Sequence, residues 1–307
     1  MFKPIFIVGT GRCGSTVFHR VLASHPQMMW LSGTALLYPD RPVWNRWAVN
    51  IVANPMLRSI LGGKIRPGEQ YRFWDHYAYG FSEPGRDLVR SDVTPRVKRQ
   101  VRAAFQTMLT RKRNRLLLKI TGWPRLGYLD EIFGDAKFIH IVRDGRAVAS
   151  SLLHIHFWRG WHGPHAWLSG PLSPEDEATW ESHDRSFAAL AGLEWRIQIR
   201  AMEAAQRAID SKRFFEIKYE TFCDHPLETY RRVLDFAELP QSDEFDRQVR
   251  KASIKSTSNR WRDDLTVEQQ DILNDVLRDD LLRYGYSVPP HSDHRYQTHT
   301  VGEPAGS

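Results

Sequence analysis

The chain has 307 residues, 41% hydrophobic and 12% aromatic, with 11 tryptophans; that is enough for a sizeable core and too apolar for a disordered polymer. A net charge of +7 leaves nucleic acid, a membrane surface or an anionic ligand open, but no nucleic-acid motif is recognisable. Two cysteines, Cys13 and Cys223, exclude a disulfide framework, and no apolar run reaches membrane-span length.

The first predicted element is a strand, Ile5–Val8, running into Gly9-Thr10-Gly11-Arg12-Cys13-Gly14-Ser15-Thr16 and then a helix-like stretch from Val17. A strand, a glycine-rich turn and a helix N-terminus together form a phosphate cradle, because free N–H groups and the helix dipole face the anion. Three ligands compete for it. A dinucleotide needs an acidic residue about 20 positions on, and Met28 to Gly33 holds none. A nucleoside triphosphate needs Lys at position 15, where Ser15 stands. A phosphosulfate needs a cation earlier in the turn, which Arg12 supplies beside the hydroxyls of Ser15 and Thr16. The bland alternative is a turn that binds nothing. Cys13, at a helix start, reads either as a thiol of depressed pKa or as a small residue that fits the loop. With strand one starting almost at the N-terminus and no signal peptide, the expected location is the cytoplasm.

Residues 41–109 read as a mostly helical insertion. Within and after it lie two basic runs, Arg96 to Arg102 and Arg111-Lys112-Arg113-Asn114-Arg115, the plain reading of which is a solvated surface. Leu116–Ile120 is the second predicted strand and carries Lys119. The third, Phe138–Val142, is followed by Arg143-Asp144-Gly145-Arg146 and a helix bearing Ser151. An arginine at the carboxyl end of a strand, with a hydroxyl two helical turns on, suits a phosphate monoester; a salt bridge and a packed serine are the alternative. A strand ending in Asp also imitates a magnesium-binding carboxylate.

His154 to Pro174 is rich in His and Trp. A metal site is the weaker reading and an aromatic lid over about 154–180 the stronger, with an ordinary packed loop also open. Leu190, Leu193, Ile197, Ala201, Ala204 and Ala208 predict one face of a long helix. Phe214–Ile217 is the fourth strand, leading to Lys218-Tyr219-Glu220-Thr221. Thr266 and Gln269 form a capping box opening a helix to about Leu282, and 288–307 reads as a flexible tail behind a single domain over 1–287. These elements give an α/β fold, three layers with a mostly parallel sheet.

Taken together, Gly11–Thr16 and Val142–Ser151 resemble the two nucleotide motifs of the sulfotransferases that use 3′-phosphoadenosine 5′-phosphosulfate (PAPS), and the likeness runs from about Pro4 to Tyr286. It is closest to bacterial members and to those acting on carbohydrate or protein tyrosine. The resemblance implies a P-loop-like fold, with PAPS as sulfuryl donor, no metal, and a hydroxyl-bearing acceptor: carbohydrate, lipid or small metabolite. Gly11, Arg12, Cys13, Gly14, Ser15 and Thr16 would then meet the 5′-phosphosulfate, Arg143 and Ser151 the 3′-phosphate, and Tyr219 the adenine. Lys119 would stand near the sulfuryl group, with Lys255 and Arg260 closing over the donor. For the general base, Ser91-Asp92-Val93-Thr94-Pro95 is similar to a Glu-x-Ser/Thr-Pro motif of carbohydrate members, which makes Asp92 the choice; His154 and His156 are the alternatives, and a turn or cap role is the plain reading of Asp92. The rival functions are a kinase or nucleotide triphosphatase and a non-catalytic nucleotide-binding protein. Acceptor identity and oligomeric state have no signal in the sequence.

Overall fold

A computed structural model describes residues 3–52, 57, 60, 65–83 and 85–290. Its centre is a five-stranded sheet of order β2-β3-β1-β4-β5. The strands are β1 (Ile5–Gly9), β2 (Met28–Met29), β3 (Arg115–Thr121), β4 (Lys137–Val142) and β5 (Phe214–Lys218). Every pair is parallel. The four predicted strands are present, each extended by one or two residues. They are near-continuous apolar runs because both sheet faces are covered by helices. The two-residue β2 is too short to leave a pattern.

Topology places the ligand-binding edge. From β1 the chain goes to the edge strand β2, comes back to β3 between them, and then crosses past β1 to β4 and β5. The crevice outside the carboxyl ends of β1 and β4 is therefore the switch point, where open α/β sheets bind ligands. The loop after β1 and Arg143 after β4 both lie there.

Aromatic packing holds the flanking helices. Phe6 of β1 lies 5.6 Å from Phe133 and 6.4 Å from Trp74. Phe18, on the helix Ser15–Leu22, stacks 4.9 Å from Tyr230. The predicted insertion contains the helices Pro42–Ile51, Tyr71–Tyr77 and Pro95–Met108. Thr94 caps the last of these through Val97 N, with Pro95 at the first helical position.

The long helix runs from Phe187 to Gln206 and is buried differently from the expected face. Ala188 to Leu193 are all buried, whereas Ala204 and Ala208 are exposed. Its first half is enclosed between the helices Gly145–Leu153 and Val267–Val276, so burial there goes all round. Glycine makes the approach possible: a Cβ at Gly145 would sit 2.8 Å from the Trp195 ring, and one at Gly192 would meet Leu273 at 2.9 Å. The Thr266–Gln269 capping box is present, but its helix stops at Val276 and a second, Arg278–Arg283, follows. Most of the expected tail, from residue 291 on, lies outside the described residues.

Candidate functional site

A cleft of about 970 Å³ opens at the carboxyl ends of β1, β3 and β4. Its floor is the loop after β1. Gly14 takes φ +86°, which favours glycine, and a Cβ there would fall 2.3 Å from a ring carbon of Tyr219. Ser15 opens the helix with no side-chain cap and no acidic residue in the first turn, so the amides and the dipole remain available to an anion.

The two sequence motifs meet across this floor. Arg12 Nε donates to Ser151 Oγ at 2.8 Å. Arg143 Nη1 donates to the Arg12 carbonyl at 2.9 Å, and its Nη2 donates to both oxygens of Thr257 at 3.0 Å. The Arg143 guanidinium also lies 4.6 Å from the Tyr219 ring centroid, and the Tyr219 hydroxyl is 3.3 Å from Thr257 Oγ1. A planar, delocalised cation is thereby held flat and oriented. Asp144 is taken up elsewhere: its carboxylate accepts from the Arg146 guanidinium at 2.7 and 3.0 Å and caps the next helix through Arg146 N. A carboxylate neutralised in this way is a poor magnesium ligand.

Lys119 rises from β3 beside the loop. Its Nζ donates to Thr16 Oγ1 at 2.9 Å and stands 3.4 Å from Glu69 Oε1. Thr121, two residues along the same strand, donates to that Glu69 oxygen at 2.6 Å. Tyr71 links to Thr121 through both backbone groups. Burial pushes the Tyr71 phenol up, and the neighbouring Glu69 charge adds to the shift. His19, one turn beyond Thr16, lies buried beneath Lys119. Burial first, then that charge, push its pKa down to about 3. Burial likewise pushes the Cys13 thiol up, which fits a small packing residue and not a reactive thiolate.

The far half of the cleft is apolar, lined by Trp123, Leu152, Ile155, Phe157, Trp158 and Trp167. Most of these belong to the His/Trp-rich segment. Trp158 Nε1 donates to Glu194 Oε2 at 2.5 Å, and Gln198 Nε2 donates to Glu194 Oε1 at 3.2 Å. Burial raises the Glu194 pKa against these bonds. At the rim, Arg159 pairs with Glu83 at 2.6 Å, and Trp123 Nε1 donates to the Leu168 carbonyl at 2.8 Å. The histidines of this segment are exposed, and His154 Nδ1 is bound to the Ser150 carbonyl. Among the described residues no three His, Cys, Asp or Glu gather in a metal-binding group.

Of the expected site residues, Gly11, Arg12, Gly14, Ser15, Thr16, Lys119, Arg143, Ser151, Tyr219 and Lys255 line the cleft. Cys13 is buried behind the loop. Arg260 is outside, paired with Asp264 at 3.1 Å. Asp92 is outside as well. Its carboxylate accepts from Arg86 at 2.8 and 2.9 Å and from Val89 N at 2.8 Å, which hold its pKa below the usual range. Glu69, Thr121, Thr257 and Glu194 are cleft residues that sequence reasoning did not single out. Glu69 had one signal, since it and Asp40 are the only acids between Met28 and Trp74.

A parallel sheet with a glycine-rich loop at a helix start and an arginine–serine pair at its switch point defines an open α/β fold with a basic cleft at its carboxyl edge. The chain belongs to the sulfotransferase family, whose model matches residues 4–243. The omega-hydroxy-beta-dihydromenaquinone-9 sulfotransferase Stf3 of Mycobacterium tuberculosis, like that of Mycobacterium bovis, is 25% identical, covering 92% of this chain and 75% of the relative. Sulfotransferase STF9 of Mycobacterium avium has a similar fold: TM-score 0.57 at 17% identity, covering 93% of this chain and 78% of that one. The sulfotransferase domain from the curacin biosynthetic pathway gives 0.52 at 14% identity, covering 94% and 99%. No described helix is long and apolar enough to cross a membrane.

Proposed function

We propose that this chain moves a sulfuryl group from PAPS to a hydroxyl carried on an apolar acceptor, with Glu69 as general base. The observation that carries this reading is the contact chain Thr16–Lys119–Glu69–Thr121. It sets a carboxylate 3.4 Å from the cation that touches the phosphate loop. Donor and acceptor chemistry thus meet at one point.

PAPS supplies an activated sulfur. The uncapped helix start and Arg12 suit its 5′-phosphosulfate, and Arg143 and Ser151 suit its 3′-phosphate. Glu69 takes the acceptor proton, held in line by the Thr121 hydroxyl. The acceptor oxygen then bonds to sulfur as the bond from sulfur to the 5′-phosphate oxygen breaks, releasing adenosine 3′,5′-bisphosphate. Lys119 and Arg12 balance the charge that develops on the leaving oxygen. The tryptophan-lined half of the cleft supports an apolar acceptor body, and the Stf3 relatives are named for a hydroxylated menaquinone.

Thermal shift separates this reading from a triphosphatase. Adenosine 3′,5′-bisphosphate should raise the melting temperature, because a ligand of the native state stabilises it; stabilisation by ATP with magnesium alone overturns the proposal. Transfer of labelled sulfur from PAPS to long-chain alcohols then tests for an enzyme, and tight donor binding without transfer to any hydroxyl indicates a binder.

A further inference from the structure

The helix Pro42–Ile51 buries Asn45, Ala48 and Val49 and leaves large apolar side chains on its outer face. Trp44, Trp47 and Ile51, at spacings of three and four, are exposed, Trp47 to 64%. Leu36, Leu37 and Tyr38 extend the same surface just before it, with the Tyr38 and Trp44 rings 4.7 Å apart. The polar residue Asn45 is instead fully buried. It accepts from Ser32 N and Oγ at 2.9 and 2.8 Å and donates to the Trp30 carbonyl at 2.9 Å. These bonds fix the inner face, and the aromatic side chains on the outer face form a contiguous exposed patch.

A stretch rich in cations packs beside this helix. Residues Thr94–Arg115 include no Asp or Glu. Lys98 and Arg115 of this stretch are tied into the protein, to Glu131 and Ala237 O. Arg96, Arg99, Arg111 and Lys112 are exposed and have no ion pair among the described residues. The helix Pro95–Met108 packs on Pro42–Ile51, where Arg46 Nη1 reaches the Thr107 carbonyl at 3.2 Å. The turn carrying Arg111 and Lys112 begins just beyond, closed by Thr110 N to the Arg113 carbonyl at 3.0 Å.

We infer that this face seats on the surface of an anionic lipid bilayer, with Trp44, Trp47 and Leu37 at headgroup depth and the basic residues against lipid phosphates. Tryptophan over a basic flank is the chemistry of an interfacial helix. A second copy is the poorer occupant, because it would bring the same cations face to face. The segment bearing this surface is tied to the one that carries Glu69: Tyr77 OH donates to the Pro39 carbonyl at 2.9 Å, and Gly68 N donates to the Leu31 carbonyl at 3.0 Å. Docking stands on these contacts and does not depend on the identity of the acceptor.

The test is co-sedimentation of the full chain with vesicles of phosphatidylcholine alone or mixed with phosphatidylglycerol. Binding is expected to the mixed vesicles, weakened by high salt. The double substitution Trp44→Ser with Trp47→Ser should lower the partition at least about tenfold. Arg111→Gln with Lys112→Gln should lower it about fivefold per cation, and this pair still decides the question if the tryptophan variant fails to fold. Unchanged melting temperature and nucleotide binding check the fold of each variant. Equal binding of folded variants and wild type overturns the inference, and so does absence of binding to anionic vesicles. A dimer dissolved by the tryptophan substitutions in the absence of vesicle binding would assign the face to a second copy instead.

Discussion

The two halves of the cleft are built on different principles. The half proposed for the donor is made from strand ends and backbone: the five-residue loop Thr10–Gly14, a helix start, and an arginine pinned by the Arg12 carbonyl, Thr257 and the Tyr219 face. The half proposed for the acceptor is made from side chains on separate segments, with Glu69, Trp123, Trp158 and Glu194 each arriving from a different part of the chain. Backbone amides look the same whatever side chains surround them, so the first half can serve one ligand across a family. Side-chain walls change with each substitution, so under the proposed function the second half is where acceptor choice would reside.

The largest expected effect is at the donor floor. Gly14→Ala should abolish binding of adenosine 3′,5′-bisphosphate in calorimetry and lower turnover about a thousandfold, since the loop must move off Tyr219. Gly11→Ala meets nothing within 4 Å and should leave the melting temperature unchanged. Equal damage from both substitutions would break the claim that the floor is set by one close approach.

On the acceptor side, Glu69→Gln should lower turnover by about 10²–10⁴ with nucleotide affinity unchanged. Asp92→Asn, which alters only the turn held by Arg86, should keep normal turnover; the reverse outcome would move the base to Asp92. Arg143→Gln should weaken nucleotide binding about 10- to 100-fold while turnover at saturating donor changes little. Thr121→Val removes one hydrogen bond to Glu69 and should lower kcat about fivefold, without affecting nucleotide affinity.

The gentlest test uses pH. His19, under the donor loop, has its folded pKa pushed from 6.5 to about 3, so only the unfolded chain takes up its proton in that window. Its contribution to stability is present above pH 6.5 and is lost as pH falls toward 3. Glu194, in the acceptor wall, is raised from 4.5. Its contribution is present below pH 4.5 and is lost as pH rises through its folded pKa. Denaturant melts of His19→Gln and Glu194→Gln against wild type should therefore diverge in opposite directions, each by no more than about 1.4 kcal/mol per pH unit.

That the two loop motifs would meet was legible because each is contiguous and its physics is local. Gly9 to Thr16 and Arg143 to Ser151 each follow a buried strand, and the sheet order brings both to one switch point. Glu69, the proposed base, was not legible because nothing within its own segment points to that role; the contacts that suggest it are with Thr121 and Lys119, fifty residues away on β3. The Ser91–Pro95 stretch was readable as a helix entry through Thr94 and Pro95, and the carboxylate of Asp92 serves the same turn. The long helix misled at its surface end, where alanines continue the apolar period although no partner covers them.

The parallel pairing of β1 with β3 sets Ile7 beside Lys119 and Gly9 beside Thr121. Adjacent residues of a strand point to opposite faces, so a slip of one position would turn Lys119 away from the loop and exchange it with Ile120. The sheet thus works as a ruler. Lys119 and Thr121, the two side chains that hold Glu69, stand two residues apart on one face of β3, and their height beside the loop is measured in strand register, so shifting them together would require re-registering the hydrophobic core, not replacing a side chain.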